Sequence, residues 1–222
     1  MVVRDCNFSV QKGEMIGLMG ESGSGKSTLA KLLIGLEKPS QGQVLLDGQP
    51  YSVKKSGVRI LLVFQDSLHS VNPHFTVEQV LTEALPKDVA REEIEAILED
   101  VGLDKSYLTQ PARQLSGGQL QRICIARGLL LKPDVLIFDE ALSGLDPIVQ
   151  GRLLRLLYDL WEKYQLTYLF ISHDFKLSYA LCHRILVMAD GEIVDEIKDF
   201  ELPIQAHHHV TKKLIGDKGH FS

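Results

Sequence analysis

The sequence has few cysteines and no long apolar run, and both features restrict the class of protein to which it can belong. Its three cysteines, Cys6, Cys124 and Cys182, are odd in number and far apart, without the short spacing of metal sites. This pattern is typical of reduced thiols in a cytosolic protein. No apolar run approaches the eighteen or so residues that a membrane-spanning helix needs, and residues 1–5 lack the apolar segment of a signal peptide.

An excess of positive charge is also missing, since the formal net charge at pH 7 is −5. Bulk electrostatics therefore give no reason to expect nucleic acid as a partner. The chain instead has an ordinary globular composition, with 45% hydrophobic and 24% charged residues in 222. Such a length and composition suit one domain with a sizeable core and room for an inserted subdomain.

Strand and helix patterns alternate along most of the chain. Short apolar runs such as residues 8–10 and 15–19 predict strands. Between residue 77 and about residue 101, apolar residues recur at helical spacing with charged residues on the opposite face, and a further helix is predicted from residue 118 to residue 131. The sequence therefore predicts a single α/β domain with a mostly parallel sheet. Its core would comprise residues 1–65 and 128–222, with a helical subdomain inserted between them.

The segment from residue 20 to residue 28 matches the phosphate-binding pattern G-x-x-x-x-G-K-[ST] between a strand pattern and a helix pattern, a context that argues against an accidental match. Glycines let backbone N–H groups point at phosphate oxygens, and the next helix adds its positive end. Lys26 is expected to reach the β- and γ-phosphates, and the Ser27 hydroxyl to ligate Mg²⁺. The residues expected to bind nucleotide are Gly20, Glu21, Ser22, Gly23, Ser24, Gly25, Lys26, Ser27 and Thr28.

Two carboxylates follow the apolar run at residues 136–138. An acidic side chain at such a strand end can hold Mg²⁺ through water, and the next can orient or deprotonate the attacking water. We assign Asp139 to the metal and Glu140 to the water. Taken alone, this segment could also be a strand that ends in a polar turn.

A second segment rich in glycine and serine opens a predicted helix with Ser116, Gly117, Gly118 and Gln119. A helix start of this composition can bind an anion, although Ser116 is also a suitable N-cap. Capping alone would not require the two glycines and the glutamine together. A second phosphate-binding helix start is therefore predicted.

Gln65 and His173 each follow a predicted strand. Alone, such residues are more often surface or structural polar groups. Their order in the chain strengthens the functional interpretation, because His173 lies on the next predicted strand after Glu140. In a parallel sheet the two strand ends would lie at the same edge, where ligands bind.

Together, these segments resemble the ATP-binding subunits of ABC transporters over nearly the whole chain. Residues 20–28 are similar to that family's Walker A motif, Gln65 to its Q-loop and residues 115–119 to its signature. Asp139-Glu140 is similar to its Walker B motif, residues 143–146 to its D-loop and His173 to its H-loop. The resemblance implies the P-loop NTPase fold of ABC ATPases, with a small antiparallel β part and an inserted helical subdomain. It also implies an enzyme that hydrolyses ATP with Mg²⁺.

In this family two such domains pair head to tail around two ATP molecules. The resemblance therefore implies that Ser116, Gly117 and Gly118 act on the nucleotide of a second ATPase subunit. It further implies that His173 contacts the γ-phosphate, and that Gln65 links Mg²⁺ to the helical subdomain.

The segments at residues 63–67, 71–73, 139–143 and 206–214 are similar to importers of peptides and nickel. This implies a peripheral subunit at the cytoplasmic face of the cell membrane, which works with permease subunits and, indirectly, a solute-binding protein. The cargo would be a peptide, nickel or a metal–chelator complex. We interpret the histidines at residues 207–209 as an exposed run in the tail, because consecutive residues rarely point at one ion.

One family feature is unmatched, and other classes remain open. Members carry an adenine-stacking aromatic residue on a strand somewhat more than twenty residues before the phosphate loop, and Phe8 is too close to Gly20 for that role.

A soluble ABC-type ATPase of DNA repair or translation would usually show coiled coils, zinc motifs or a fused second domain. A small-molecule P-loop kinase would leave the signature segment without a role. Glu140 and His173 argue against a degenerate ATP-binding module.

Overall fold

The computed structural model describes residues 2–64, 71–85, 89–142, 146–198, 200 and 204–216. The strands in these residues are β1 (Met15–Met19), β2 (Leu45–Leu46), β3 (Gln49–Pro50), β4 (Ile60–Phe64), β5 (Val135–Asp139), β6 (Thr167–Ile171), β7 (Arg184–Ala189) and β8 (Glu192–Ile197). The α-helices are α1 (Lys26–Leu33), α2 (Val53–Ser56), α3 (Val77–Thr82), α4 (Arg91–Asp100), α5 (Gly117–Leu130), α6 (Pro147–Tyr164), α7 (Phe175–Leu181) and α8 (His209–Ile215). Two 3₁₀ turns span Lys105–Thr109 and Ala112–Gln114.

Six strands form the main sheet in the order β4-β5-β6-β1-β7-β8. The first five run parallel, and β8 pairs antiparallel with β7. Alternate side chains of β1 enter two different apolar clusters, with Met15 and Met19 in one and Ile16 and Leu18 in the other. Because successive strand residues point to opposite faces, the sheet is buried on both faces. This confirms the predicted α/β fold with a mostly parallel sheet.

A small antiparallel pair, β2 with β3, lies outside the main sheet. Asp47 and Gly48 connect the two strands, and both have positive φ, as a tight hairpin turn requires. The strand predicted at residues 8–10 was wrong, because the structure shows irregular backbone there. Phe8 and Val10 pack against the second apolar cluster, so their alternation reflects burial rather than strand pairing.

The elements between β4 and β5 are helical. They comprise α3, α4, both 3₁₀ turns and α5, and α5 packs against α3, α4 and β4. Gly128 near the end of α5 lies so close to β4 that a Cβ there would come within 2.8 Å of Leu61 Cδ2. Helix α5 therefore connects the helical segment to the sheet, and the subdomain boundaries at residues 66 and 127 stay a prediction.

The tail helix α8 is fixed to β8 by a buried carboxylate. Asp195 Oδ2 accepts hydrogen bonds from the His208 N–H, at 2.8 Å, and from the Thr211 hydroxyl. His208 also caps α8, because its Nδ1 accepts from the Val210 N–H at 3.3 Å. None of the helices in the described ranges has the length and apolar character to cross a membrane.

Candidate functional site

The phosphate loop connects the carboxyl end of β1 to α1 in the middle of the sheet. Gly25 is the N-cap of α1, with φ 109° and ψ 0°, and no side chain caps this helix. The N–H groups of the first helical turn have no partner within the helix. The start of α1 thus presents backbone donors and the positive end of the helix dipole to a bound anion.

Two loop positions require glycine because other groups approach the backbone closely. A Cβ on Gly20 would lie 2.3 Å from the carbonyl oxygen of Met188 in β7. A Cβ on Gly25 would lie 2.9 Å from both the Val2 carbonyl oxygen and Met188 Cε. Since Gly25 also has a φ that L-residues rarely adopt, its conformation and its packing both exclude a larger residue.

Lys26 places a buried positive charge inside the loop. Its Nζ donates to the carbonyl oxygens of Gly20, at 2.8 Å, and Glu21, at 2.9 Å. Burial lowers the pKa of Lys26, and the nearby carboxylates of Glu140 and Asp139 partly offset this effect. The ammonium therefore lies between the loop and the two acidic residues, where phosphate oxygens are expected.

Ser27 of α1 and Asp139 of β5 lie close enough for the Ser27 side chain to lower the pKa of the Asp139 carboxyl. Burial raises the pKa of Asp139, and the Ser27 side chain opposes that shift. A hydroxyl and a carboxylate side by side supply the hard oxygen ligands that Mg²⁺ prefers. The residues present at this position therefore fit Mg²⁺.

Glu140 and His173 meet at the ends of β5 and β6. His173 Nδ1 lies 3.0 Å from Glu140 Oε1, and the Glu140 N–H donates to the carbonyl of Ile171 at 2.9 Å. Glu140 has φ 54°, a left-handed conformation that costs a non-glycine residue about 1–2 kcal/mol. Such strain persists only where surrounding contacts impose it, and it is common at functional sites.

The segment of residues 116–119 forms a complete helix cap at the start of α5. Ser116 Oγ accepts from the Gln119 N–H at 3.3 Å, and Gln119 Oε1 accepts from the Ser116 N–H at 2.8 Å. Nothing lies within 4 Å of a Cβ placed on Gly117 or Gly118. Glycine in a helix costs about 1 kcal/mol relative to alanine. Within the part of the chain that the structure describes, neither packing nor backbone conformation explains the two glycines.

The structure therefore gathers the phosphate loop, Asp139, Glu140 and His173 at the carboxyl edge of the sheet. Residues 116–119 lie instead on α5, which packs against α3, α4 and β4. Gln65 and residues 143–145 lie outside the described residues, so their predicted roles stay predictions.

Three contacts at the site were not predicted from the sequence. Lys213 of α8 pairs with Glu21 of the phosphate loop, with Nζ 2.5 Å from Oε1. Gln121 Nε2 donates to the Ala141 carbonyl, and Gln150 Nε2 to the Leu142 carbonyl, each at 2.9 Å. A signal for Gln121 was present, because a polar residue among the apolar residues of a buried helix is unusual.

Comparison with known proteins links this geometry to a family. A sequence profile described as ABC transporter matches residues 3–143. The nickel import ATP-binding protein NikE of Escherichia coli strain K12 is 41% identical over 206 residues, which cover 87% of this chain and 77% of that protein. The metal-staphylopine import system ATP-binding protein CntF of Staphylococcus aureus is 40% identical over 221 residues, covering 96% of this chain and 88% of that protein.

Solved structures agree with this family. CbiO1 from Clostridium perfringens, part of the ABC transporter complex CbiONQ, superposes with a TM-score of 0.79 at 28% identity, covering 88% of this chain and 81% of that chain. A dimeric ATP-binding cassette in a post-hydrolysis state, bound to ADP and Pi, gives a TM-score of 0.72 at 26% identity, covering 89% of this chain and 90% of that chain.

The variant Gly25→Ala should lose most of its affinity for ATP. The new methyl group would meet Val2 and Met188, and the loop backbone would leave φ 109°. We expect binding of a fluorescent ATP analogue to weaken by at least about ten-fold, corresponding to the loss of about 1.4 kcal/mol.

The matched control is Gly42→Ala, which also replaces a glycine of positive φ but lies in a loop where nothing stands within 4 Å of the new Cβ. Its affinity for ATP should equal that of the wild type. An unchanged affinity in Gly25→Ala would show that this loop does not hold the phosphates.

Proposed function

The chain belongs to the ABC transporter family, and we propose that it is the ATP-hydrolysing subunit of an importer of nickel, metal–chelator complexes or peptides. ATP is the substrate and Mg²⁺ the cofactor. The observation that carries the proposal is the convergence of the phosphate loop, Asp139, Glu140 and His173 at one edge of the sheet. A strand edge with a cationic loop and two carboxylates suits phosphoryl transfer to water.

Lys26 and the backbone N–H groups of the loop bind the phosphates in this proposal. Ser27 and Asp139, together with Gln65, hold Mg²⁺ directly or through water. When bound, the ion neutralises charge on the β- and γ-phosphates. These residues bind and orient the nucleotide, so that the γ-phosphate faces Glu140.

Glu140 polarises the attacking water and accepts its proton. Its positive φ turns the chain away from the extended conformation of β5, and its N–H donates to the Ile171 carbonyl. His173 lies within hydrogen-bonding distance of that carboxylate, so it orients Glu140 and contacts the γ-phosphate. A general base of this kind accelerates hydrolysis by about 10²–10⁴-fold.

A second ATPase subunit completes the site. Residues 116–119 cap their own helix, yet among the described residues nothing packs within 4 Å of a Cβ placed on Gly117 or Gly118. Glycines at an exposed helix start let a phosphate group approach the N–H groups closely. We therefore assign Ser116, Gly117, Gly118 and Gln119 to the nucleotide of the partner subunit, in a head-to-tail homodimer or heterodimer.

The helical subdomain, about residues 66–127, would transmit closure of this dimer to permease subunits in the membrane. The core, residues 1–65 and 128–222, would hold the nucleotide. This assigns the chain to the cytoplasmic face of the cell membrane as a peripheral subunit, supplied indirectly by a solute-binding protein. The names of the nickel and metal-staphylopine import relatives and the complex that contains CbiO1 support this assignment.

Glu140→Gln should bind ATP but barely hydrolyse it. The amide keeps the size of the side chain and cannot accept the proton, so we expect turnover to fall by at least about 100-fold. ATP affinity should stay within about two-fold, since the change affects the transition state rather than binding. The measurements are steady-state phosphate release and titration with a fluorescent ATP analogue.

The exposed residue Glu99 on α4 offers the matched control. Glu99→Gln makes the same chemical change far from the sheet edge and should hydrolyse ATP at the normal rate. Near-normal turnover in Glu140→Gln would exclude Glu140 as the residue that activates water.

Ser116→Arg should prevent ATP-dependent dimerisation while leaving ATP binding by the monomer intact. The bulky side chain would occupy the space that we assign to the partner's phosphates. We expect the dimer, trapped in the Glu140→Gln background and measured by size-exclusion chromatography, to be lost.

The control for the lost helix cap is Thr76→Arg. Thr76 caps α3 with the same arrangement, since its Oγ1 accepts from the Gln79 N–H and its own N–H donates to the Gln79 side chain. Both variants should lose about 1 kcal/mol of stability with the cap. A dimer that forms equally well in both variants would contradict the assignment of Ser116 to a partner's nucleotide.

The cargo can be tested in the host organism. Deleting the gene should lower the uptake of radioactive nickel, or of a nickel–chelator complex, and wild-type protein should restore it whereas Glu140→Gln should not. The tagged chain should also co-purify with permease subunits from detergent-solubilised membranes. Unchanged uptake of nickel, metal–chelator complexes and peptides would exclude the proposed importer.

A further inference from the structure

The backbone that follows Glu140 is held by two glutamine side chains from different helices. Gln121 of α5 donates to the Ala141 carbonyl, and Gln150 of α6 donates to the Leu142 carbonyl. Both Ala141 and Leu142 are buried, with 3% of their surface exposed. Because water has little access to these two residues, the glutamine amides supply hydrogen bonds to buried backbone.

Glu140 depends on such restraint because its φ is positive. The bond from its N–H to Ile171 fixes the peptide before Glu140, and the bond from Gln121 fixes the peptide between Ala141 and Leu142, one residue further along the turn. A non-glycine residue persists in a left-handed conformation only where the surrounding structure imposes it. By holding the turn that follows Glu140, Gln121 contributes to this restraint.

Glutamine is an unusual residue for the position of Gln121. It is 7% exposed and lies among apolar residues of α5, where a hydrophobic side chain would pack without a polar group to satisfy. A buried amide is costly unless it is hydrogen-bonded. Its neighbour Arg122 donates to the Val101 carbonyl at 2.8 Å, so α5 is anchored at this point to the end of α4 as well.

We propose that Gln121 is a positioning residue for ATP hydrolysis, which holds the backbone of Glu140 in the conformation that directs its carboxylate to the attacking water. The proposal rests on the proposed role of Glu140. Gln121 lies on the same helix as Ser116, within two turns of its start. The start of α5 would bind the partner's nucleotide, and the Glu140 carboxylate would act on the nucleotide bound to this chain. The hydrogen bond from Gln121 to Ala141 links these two parts of the structure.

The test replaces Gln121 with methionine, which has a similar length and no donor. Glu140 would then leave its restrained conformation while the phosphate loop is untouched. We expect kcat to fall by about ten-fold and the KM for ATP to stay within about two-fold. Gln121→Asn, whose amide is one methylene too short to reach Ala141, should show the same fall in kcat with the KM for ATP nearly unchanged. It keeps the measurement possible if the methionine variant folds poorly.

Tyr168→Phe is the matched control for stability. The Tyr168 hydroxyl donates to the Leu157 carbonyl at 3.1 Å in the core, so this variant also removes one buried hydrogen bond. It should lower the melting temperature as Gln121→Met does and keep a normal kcat. An equal loss of kcat in the two variants would mean that Gln121 acts only on stability, and would overturn the proposal.

A double-mutant cycle shows whether Gln121 acts through Glu140. In the Glu140→Gln background, Gln121→Met should cause no further loss of hydrolysis and should leave the ATP-bound dimer intact. Independent, additive losses, or loss of that dimer, would overturn the positioning role. Near-normal turnover in Glu140→Gln alone would instead reject the proposed function, and the two failures are therefore distinguishable.

Discussion

The parallel pairing of β6 with its two neighbours, β5 and β1, is the constraint on which the site depends. In this register Ile171 of β6 lies beside Asp139 of β5 on one side and beside Leu18 of β1 on the other. The phosphate loop, the two carboxylates and His173 thus begin at the same level of the sheet, although about 150 residues separate the first from the last. A slip of one residue in β5 would exchange its two faces and move Asp139 away from Ser27.

The charges at this edge are arranged for a ligand rather than for the stability of the chain. Burial lowers the pKa of Lys26 and raises that of Asp139, so both shifts oppose the charged forms. Glu140 adds a strained backbone close by. A bound nucleotide with its cation would compensate these unfavourable features, and any ligand that binds only the folded state also stabilises it. The same features that weaken the empty site therefore favour its occupied form.

Much of this arrangement could be predicted from the sequence, because it depends on local patterns. The strand predicted at residues 15–19 matches β1, since its apolar run ends directly at the glycine-rich loop. The strand predicted at residues 8–10 was wrong because packing of Phe8 and Val10 produces the same alternation as a strand. The polar character of Gln121 among apolar residues could have drawn attention to it, but its role could not be assigned, because its partner, Ala141, is 20 positions away in the chain and a contact between a helix and a distant turn leaves no local pattern.

Contacts within the described fold account for some of residues 116–119 and leave the others without a structural role. Ser116 and Gln119 satisfy each other as a capping box, so the fold alone accounts for them. Gly117 and Gly118 weaken the helix, and no described group lies within 4 Å of a Cβ at either position, which agrees with the proposed contact to a second subunit. Helix α5 carries these glycines at its start and Gln121 in its second turn. Under the proposed function, α5 would join the surface that a second subunit uses to the turn that follows Glu140, and would be the element through which the two nucleotide sites affect each other.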